Sequence, residues 1–434
     1  MICLNYVAMK IVFVLECANA ITNGTGATCH RFAKEMEKLG HEIIMLCEKP
    51  SDPESFPFKY VGLDHFYFPV FEKLIIKDGF NFVKIDLATV YQAIKGADLV
   101  HLFTPFRLCS VARLVAEGLN VPVSAAFHVQ PQNITSALHL GKVHLINWAI
   151  FRGYRNYLFD HVRHIHCPSE MIKNQLVDHH YDQNVFHVIS NGIIPYFHRV
   201  EGKRPEQYKE MIVVTMSGRL AREKRQDLII KAVAHSKYNE KIQVMLCGRG
   251  PLKRRYLKLA KRLKLANPLQ IQFCNAHDLR KILSYSDIYV HASDFEIEGI
   301  SAIEAFSCGA VPLISDAKLS ATNSFSLSPN CLFKHGSWRS LQKKLDYFIE
   351  HQDEMKSLSL PYQEKASELT LEKMAIKMEE MFVQAVADHR AGCDIPQVRI
   401  RKKDERAKRK IFKKLLSQGV ISEMPESLLP KKVK

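Results

Sequence analysis

Absences narrow the class of this 434-residue chain before any motif is read. Its eleven cysteines include no C-x-x-C pair and no Cys/His cluster at zinc-like spacing, which argues against a disulfide framework and a structural metal site. A reduced cytosol is the expected home. No stretch approaches the ~18–20 apolar residues a bilayer-crossing helix needs, and no repeat at solenoid period is present. The composition, 47% hydrophobic and 24% charged, excludes a disordered chain and a fibre.

Acidic residues are the scarcer charge. Against 61 Lys plus Arg stand 45 Asp plus Glu, a net +16 that fits an anionic partner: nucleic acid, an anionic bilayer surface or a phosphorylated substrate. The excess is uneven. From Arg399 to the end thirteen Lys or Arg face four Asp or Glu, so +9 of it lies in a basic tail, residues 396–434, expected to stand apart from the folded body. At the other end, Lys10, the apolar residues 11–15 and Ala18-Asn19-Ala20 mimic a signal peptide. Glu16 interrupts that run, and the segment reads better as the opening strand of a domain that starts at Met9. The Asn23 and Asn133 sequons are then chance matches.

The length argues for two domains of roughly 200 residues. Residues 10–15 read as a buried strand, Asn23-Gly24-Thr25-Gly26 as a turn, residues 27–39 as a helix stopped by Gly40, and residues 41–47 as the next strand. Such a unit builds a doubly wound parallel sheet. Residues 97–102 and 121–127 continue it. A second series, with strands at 211–216, 241–247, 269–273 and 287–291, begins after Ser190-Asn191-Gly192. The fold class is therefore α/β, with domains at 9–192 and 193–370 and a C-terminal helix over 371–391.

Three constellations of the second half share a physical theme. Ser217-Gly218-Arg219-Leu220 with Glu223-Lys224 follows a strand; the glycine admits close backbone approach, and two cations suit a diphosphate at a strand's carboxyl end. Cys247-Gly248-Arg249-Gly250-Pro251 is a second strand-to-helix turn with glycines suited to phosphate or sugar. In the third, Glu296 and Glu304 are separated by seven residues, and Gly299-Ile300-Ser301 would open a helix whose free amides suit an anion. Each alone has a bland reading: a solvated loop, an ordinary turn, an acidic helix start.

Together, their order, their spacing and their places after successive strands resemble the donor-binding domain of the family 4 glycosyltransferases of the GT-B fold. The E-x7-E element ending in Glu304-Ala305-Phe306-Ser307-Cys308-Gly309 carries most of the likeness, which covers about residues 9–390. Ile297-Glu298 stands where that family often has Pro-Phe or Ser-Phe. The resemblance implies two facing Rossmann-like domains with a cleft between them, and sugar transfer from a nucleotide-sugar with retention. Arg219 and Lys224 would neutralise the leaving diphosphate beside the amides of Gly299 and Ile300. Glu304 would hold the ribose and Glu296 the donor sugar. His128 would reach the sugar from the first domain, while Gly24, Gly26, Gly218, Gly248 and Gly250 would let backbone approach the donor. No cofactor and no metal is implied beyond the nucleotide-sugar co-substrate.

For the acceptor, residues 127–135 and 166–170 resemble a bacterial branch assigned to glycolipid or surface-polysaccharide assembly, so a lipid-borne or glycan acceptor is expected. The aromatic, lysine-bearing stretches 66–77 and 138–161 suit either a membrane interface or core packing. The basic tail suits an anionic leaflet, which would make a cytoplasmic enzyme peripheral on the inner face of the membrane; nucleic acid is not an expected partner. Two other readings stay open. An NAD-dependent oxidoreductase or sugar-nucleotide epimerase would rest on Gly24-Thr25-Gly26-Ala27, which lacks a third glycine and has only Glu48 near the acidic position. A polyanion-binding protein would rest on the tail.

Overall fold

Short apolar runs alternating with amphipathic segments build two all-parallel sheets, described over residues 8–17, 24–67, 81–135, 143–202, 204–393 and 402–429 of a computed structural model. The first sheet holds β1 (Lys10–Val14), β2 (Glu42–Glu48), β3 (Lys59–Leu63), β4 (Leu99–Leu102), β5 (Val123–Ala126), β6 (His164–Cys167) and β7 (Val185–Val188), in the order β3-β2-β1-β4-β5-β6-β7. The second sheet contains β8 (Ile212–Ser217), β9 (Ile242–Cys247), β10 (Gln270–Gln272), β11 (Ile288–His291), β13 (Val311–Ser315) and β15 (Leu332–Phe333), in the order β10-β9-β8-β11-β13-β15. A short pair, β12 (Phe295–Glu296) and β14 (Leu319–Ser320), lies outside it. Central strands are buried and mostly apolar because helices cover both faces of a parallel sheet; Ile11, Val12, Phe13 and Val14 are fully buried. The fold class is α/β, with two Rossmann-like doubly wound sheets.

Each sheet reverses its strand order once. The reversal falls between β1 and β4 in the first and between β8 and β11 in the second, and doubly wound sheets bind ligands beyond the carboxyl ends of such a pair. The chain passes from the first compact unit to the second between Ile189 and Ser190 and returns between Met374 and Ala375, with Ser169–Met171 also in the second. The leaving and returning peptides are paired: Ile193 donates to Leu369 O at 2.9 Å and Leu371 donates to Ile193 O at 2.8 Å. Gly192 has φ +70°, and a Cβ there would sit 2.6 Å from Leu371 Cα, so both conformation and space demand glycine. Beyond the crossing, helix Leu371–Arg390 packs Phe382 against Phe13 and His101 in the first unit, with ring centroids 6.1 and 5.1 Å apart.

Three expectations change. Gly24 and Gly26 belong to the first turn of helix Gly24–Lys38 rather than to a loop; residues 18–23 lie outside the described residues. The basic segment does not stand apart either. Helix Lys402–Ser417 buries Phe412 and Leu415 completely, and Lys408 reaches Glu117 at 3.2 Å on helix Arg107–Gly118. Gly118 makes room for it: a Cβ at that position would lie 2.1 Å from the Phe412 ring. Two apolar side chains three residues apart, not overall apolar content, suffice to dock it. Finally, the aromatics of the 138–161 stretch divide: Phe151, Tyr154 and Phe159 are core, whereas Trp148 and Tyr157 are exposed. Residues 136–142, and 68–77 of the 66–77 stretch, lie outside the described residues. Among the described residues no helix is long and apolar enough to cross a membrane.

Candidate active site

The three constellations of the second half meet at the carboxyl edge of the second sheet, two of them on the strands that flank its reversal and the third on β9 beside β8. Gly218 follows β8, Gly248 follows β9, and the 296–304 element follows β11. The first two are one structure. Gly218 donates to Cys247 O at 3.0 Å and Leu220 to Arg249 O at 2.8 Å, so the turns pack backbone on backbone. A Cβ on Gly248 would meet Gly218 O at 1.9 Å, and one on Gly250 would meet Leu220 O at 2.4 Å. Mutual packing of the turns therefore requires these two glycines, apart from any ligand. Gly218, by contrast, has open space around its Cβ position but sits at φ +137°, a conformation that favours glycine.

Lys224 lies on the single 3-10 turn Arg222–Lys224, which Arg225 ends in the left-handed conformation before helix Gln226–Ala234. Asp294 N donates to Glu223 O at 2.8 Å and so ties this turn to the chain leaving β11. The result is an ion pair between Lys224 and Glu296, each about one-fifth exposed. Burial pushes the Glu296 carboxyl up, but Lys224 and His291, 3.7 Å away, outweigh it and hold its pKa down to about 2. Arg219 stands on the more open side, its guanidinium 2.9 Å from Glu223 and half exposed. Its carbonyl accepts from Gln226 Nε2 at 2.9 Å, and Gln226 is itself fixed by the Tyr256 hydroxyl at 2.9 Å.

Helix Ile300–Ser307 begins at Gly299, whose φ of +99° and tight approach to Thr322, 2.4 Å from a notional Cβ, both exclude other residues. Gly299 has no side chain to cap the helix; its carbonyl accepts from Ala302 N at 2.8 Å, and the amides before Ala302 lie at the helix start. Glu304 is buried on this helix. Tyr289, fully buried on β11, joins the constellations: its hydroxyl lies 3.1 Å from Ser217 Oγ and also bonds Ser301. Glycine, two cations, two carboxylates and a helix start are thus assembled within one unit.

In the first unit His128 follows β5 and is 2% exposed, stacked on Phe103 at 5.8 Å and edge-on to His166 at 5.1 Å. Burial, with His166 and His101 adding to it, drives its pKa well below the ordinary value, so the ring is neutral. Its Nε2 finds no hydrogen-bond partner among the described residues. At the reversal of this sheet, Glu16 follows β1 and is buried; it accepts from the Thr104 hydroxyl and from Leu108 N at 3.2 Å. Gly26 is buried and Gly24 exposed.

Sequence reasoning passed over Tyr289, Thr322 and Asp294, because each works through contacts with residues distant in the chain. Glu298 had a signal, a charged residue in an apolar place, but not its partners: it is buried and accepts from the Ser190 hydroxyl and from Asn191 N at 3.0 Å.

Two family models tile this architecture. Glycosyltransferase Family 4 matches residues 22–195 and Glycosyl transferases group 1 matches residues 199–362. Among curated relatives, the GDP-mannose-dependent alpha-mannosyltransferase of Corynebacterium glutamicum is 23% identical over 70% of this chain and 72% of its own. Among solved structures, Alr3699/HepE of Anabaena in complex with UDP and glucose has a TM-score of 0.67, with 18% identity over 87% of this chain and all of that one. The catalytic domain of cholesterol-alpha-glucosyltransferase from Helicobacter pylori is 36% identical over 37% of this chain and 99% of its own, with a TM-score of 0.35. The two family models, on a fold of this two-sheet type, define a sugar-transferring enzyme. The chain belongs to the family 4 glycosyltransferases.

Proposed function

We propose that this glycosyltransferase takes its sugar from a nucleoside diphosphate sugar, a UDP-sugar, and transfers it with retention to a lipid-borne or glycan acceptor. The observation that carries the reading is the Lys224–Glu296 pair beside the Gly299-started helix, at the strand reversal where such sheets bind ligands. The names of two similar proteins, one dependent on GDP-mannose and one in complex with UDP and glucose, support a nucleotide-sugar donor.

In this reading the pyrophosphate lies over the start of helix Ile300–Ser307, with Arg219 and Lys224 against its outer oxygens. Charge grows there as the bond from the anomeric carbon to phosphate oxygen breaks, and cations already in place stabilise it without rearrangement. Glu296 keeps the Lys224 ammonium oriented and contacts the donor sugar; Glu304 accepts from the ribose hydroxyls. Gly218, Gly248 and Gly250 form the floor beneath the diphosphate. His128 offers its unpaired Nε2 to a sugar hydroxyl, and Gly24 and Gly26 present helix-start amides to the phosphates. Glu296, held ionised by Lys224, does not serve as a proton donor. The acceptor hydroxyl then attacks the face the diphosphate leaves, and its proton passes to the departing phosphate oxygen, which balances the step without an enzymic nucleophile.

The acceptor side rests on charge. Lys403, Arg406, Arg409, Lys410, Lys413 and Lys414 are exposed on helix Lys402–Ser417, a surface suited to an anionic inner leaflet of the cytoplasmic membrane. The enzymatic reading is tested by incubating the full chain with UDP-, GDP- and ADP-sugars and assigning the product anomer by NMR. Consumption of a UDP-sugar with retention is expected; inversion, or turnover of no nucleotide-sugar, overturns it.

A further inference from the structure

The donor-side loop is anchored at a point the reaction does not touch. Between Glu296 and Gly299 the chain is held by Ser169 Oγ, which donates to Ile297 O at 2.6 Å, and by Thr322 Oγ1, which donates to Glu298 O at 3.2 Å. Both are ordinary side-chain clasps on backbone. The Glu298 side chain is different: a carboxyl 1% exposed, pointing away from solvent and bonded to the Ser190 hydroxyl and to the Asn191 amide, which reaches both its oxygens at 3.2 and 3.0 Å. Ser190 Oγ in turn accepts from Gly192 N at 3.1 Å. These three residues are the peptide by which the chain enters the second unit, and one residue further on Ile193 pairs with the returning segment. A buried acidic group is costly where an apolar side chain would serve, and it is retained here with donors from a single tripeptide.

We propose that Glu298 is a positioning residue: its carboxylate clamps the loop carrying Glu296 and Gly299 onto the Ser190–Gly192 entry peptide and so sets where the helix-start amides meet the donor diphosphate. The proposal deepens the donor-site reading and rests on it. A loop displaced by about an ångström costs a bound reactant orders of magnitude in rate, and Gly299, in a positive-φ conformation that glycine adopts freely, has no side chain of its own to resist such a shift. As a carboxylate Glu298 offers two charged acceptor oxygens to these donors; once protonated, or replaced by glutamine, it keeps one neutral carbonyl oxygen and gains a donor of its own, which weakens the clamp. Burial lifts its pKa to about 7 against the pull of the Ser190 and Asn191 donors, and the charge of Glu296, itself paired with Lys224 and near His291, adds to the rise.

The test is UDP binding by calorimetry, from pH 6 to 8.5, on the full-length wild type and on Glu298→Ala, Glu298→Gln and Ser190→Ala. Wild type binding UDP establishes the site; failure of wild type to bind UDP overturns the donor reading, and with it this inference. Given binding, Glu298→Ala weakens UDP about ten-fold or more, Ser190→Ala weakens it by a smaller factor, and Glu298→Gln recovers part of the loss above pH 7. Below pH 7 the gap between wild type and Glu298→Gln closes, because both then hold one accepting oxygen; the titration of UDP itself cancels in that ratio. Folded Glu298→Ala that binds UDP as tightly as wild type overturns the clamp. So does a gap to glutamine that is constant with pH. Should the alanine variant not fold, Ser190→Ala decides: unchanged UDP affinity there sinks the proposal.

Discussion

Lys224 and Glu296, 72 residues apart in sequence, form an ion pair at the carboxyl edge of the second sheet, one following β8 and the other following β11. Neither strand end alone is a binding site; the pair exists because the sheet places β8 next to β11. Removing Lys224 leaves a mostly buried carboxylate unpaired and withdraws a cation from the leaving group. Lys224→Ala is expected to lower kcat for the nucleotide-sugar by about 10²–10³-fold, read as initial rates on protein whose circular dichroism matches wild type.

Glu304 is buried on helix Ile300–Ser307, and no charge reversal is needed to disable it. Glu304→Ala is expected to raise the donor KM and to lower turnover by orders of magnitude with folding intact. Comparing UDP-sugar with its 2′,3′-dideoxy analogue checks the assignment: the variant should lose the preference for the ribose hydroxyls.

The interlocked turns predict a structural rather than catalytic phenotype for Gly248. Its Cβ would fall on Gly218 O, a backbone atom that cannot swing aside. Gly248→Ala is expected to destabilise the second unit by about 1–3 kcal/mol, the usual cost of overpacking, and to separate Gly218 from Cys247. Thermal unfolding with and without UDP measures both effects.

Glu16 makes stability depend on pH. An unfolded glutamate titrates near 4.5, whereas burial raises this one to about 7 despite the Thr104 hydroxyl and the Leu108 amide. The native state therefore holds the proton more tightly than the unfolded chain. The stability this contributes is complete below pH 4.5, fades as pH rises toward 7, and is gone above it; the span amounts to about 3 kcal/mol. Glu16→Gln, neutral throughout, is expected to gain stability over wild type progressively between pH 5 and 7, as followed by urea unfolding across that range.

Phe412 anchors the C-terminal helix. Phe412→Ala is expected to cost about 3–5 kcal/mol of local stability, enough to free residues 402–417 for limited proteolysis and hydrogen exchange while the sheets stay protected. Replacing Lys403, Arg406, Arg409 and Lys410 by glutamate leaves that apolar seam untouched. It should abolish co-sedimentation with vesicles containing phosphatidylglycerol, each cation being worth up to ~1 kcal/mol near an anionic surface.

Much of this was legible in the chain itself. Short apolar runs such as residues 11–15, bounded by turn signals, read as strands covered on both faces, and their alternation with helical spacing points to parallel sheets. The Gly218–Lys224, Gly248–Gly250 and 296–304 motifs were visible as glycines and charges at fixed places after successive strands, whereas the packing of the two turns on each other that demands Gly248 and Gly250 was not. Other features were not visible. The docking of the basic helix turns on Phe412 and Leu415 meeting a gap above Gly118, which charge counting hides. The start of the first helix at Gly24 was obscured because glycines read as a turn.

Local sequence determined where strands, turns and helix starts occur, since those depend on the periodicity and stereochemistry of neighbouring residues. Only tertiary structure decided that Lys224 answers Glu296, that Gly248 seats against Gly218, and that Glu298 is buried on Ser190 and Asn191. Such pairings depend on strand order, and strand order is a property of the whole packed sheet, which minimises exposed apolar surface over many segments at once.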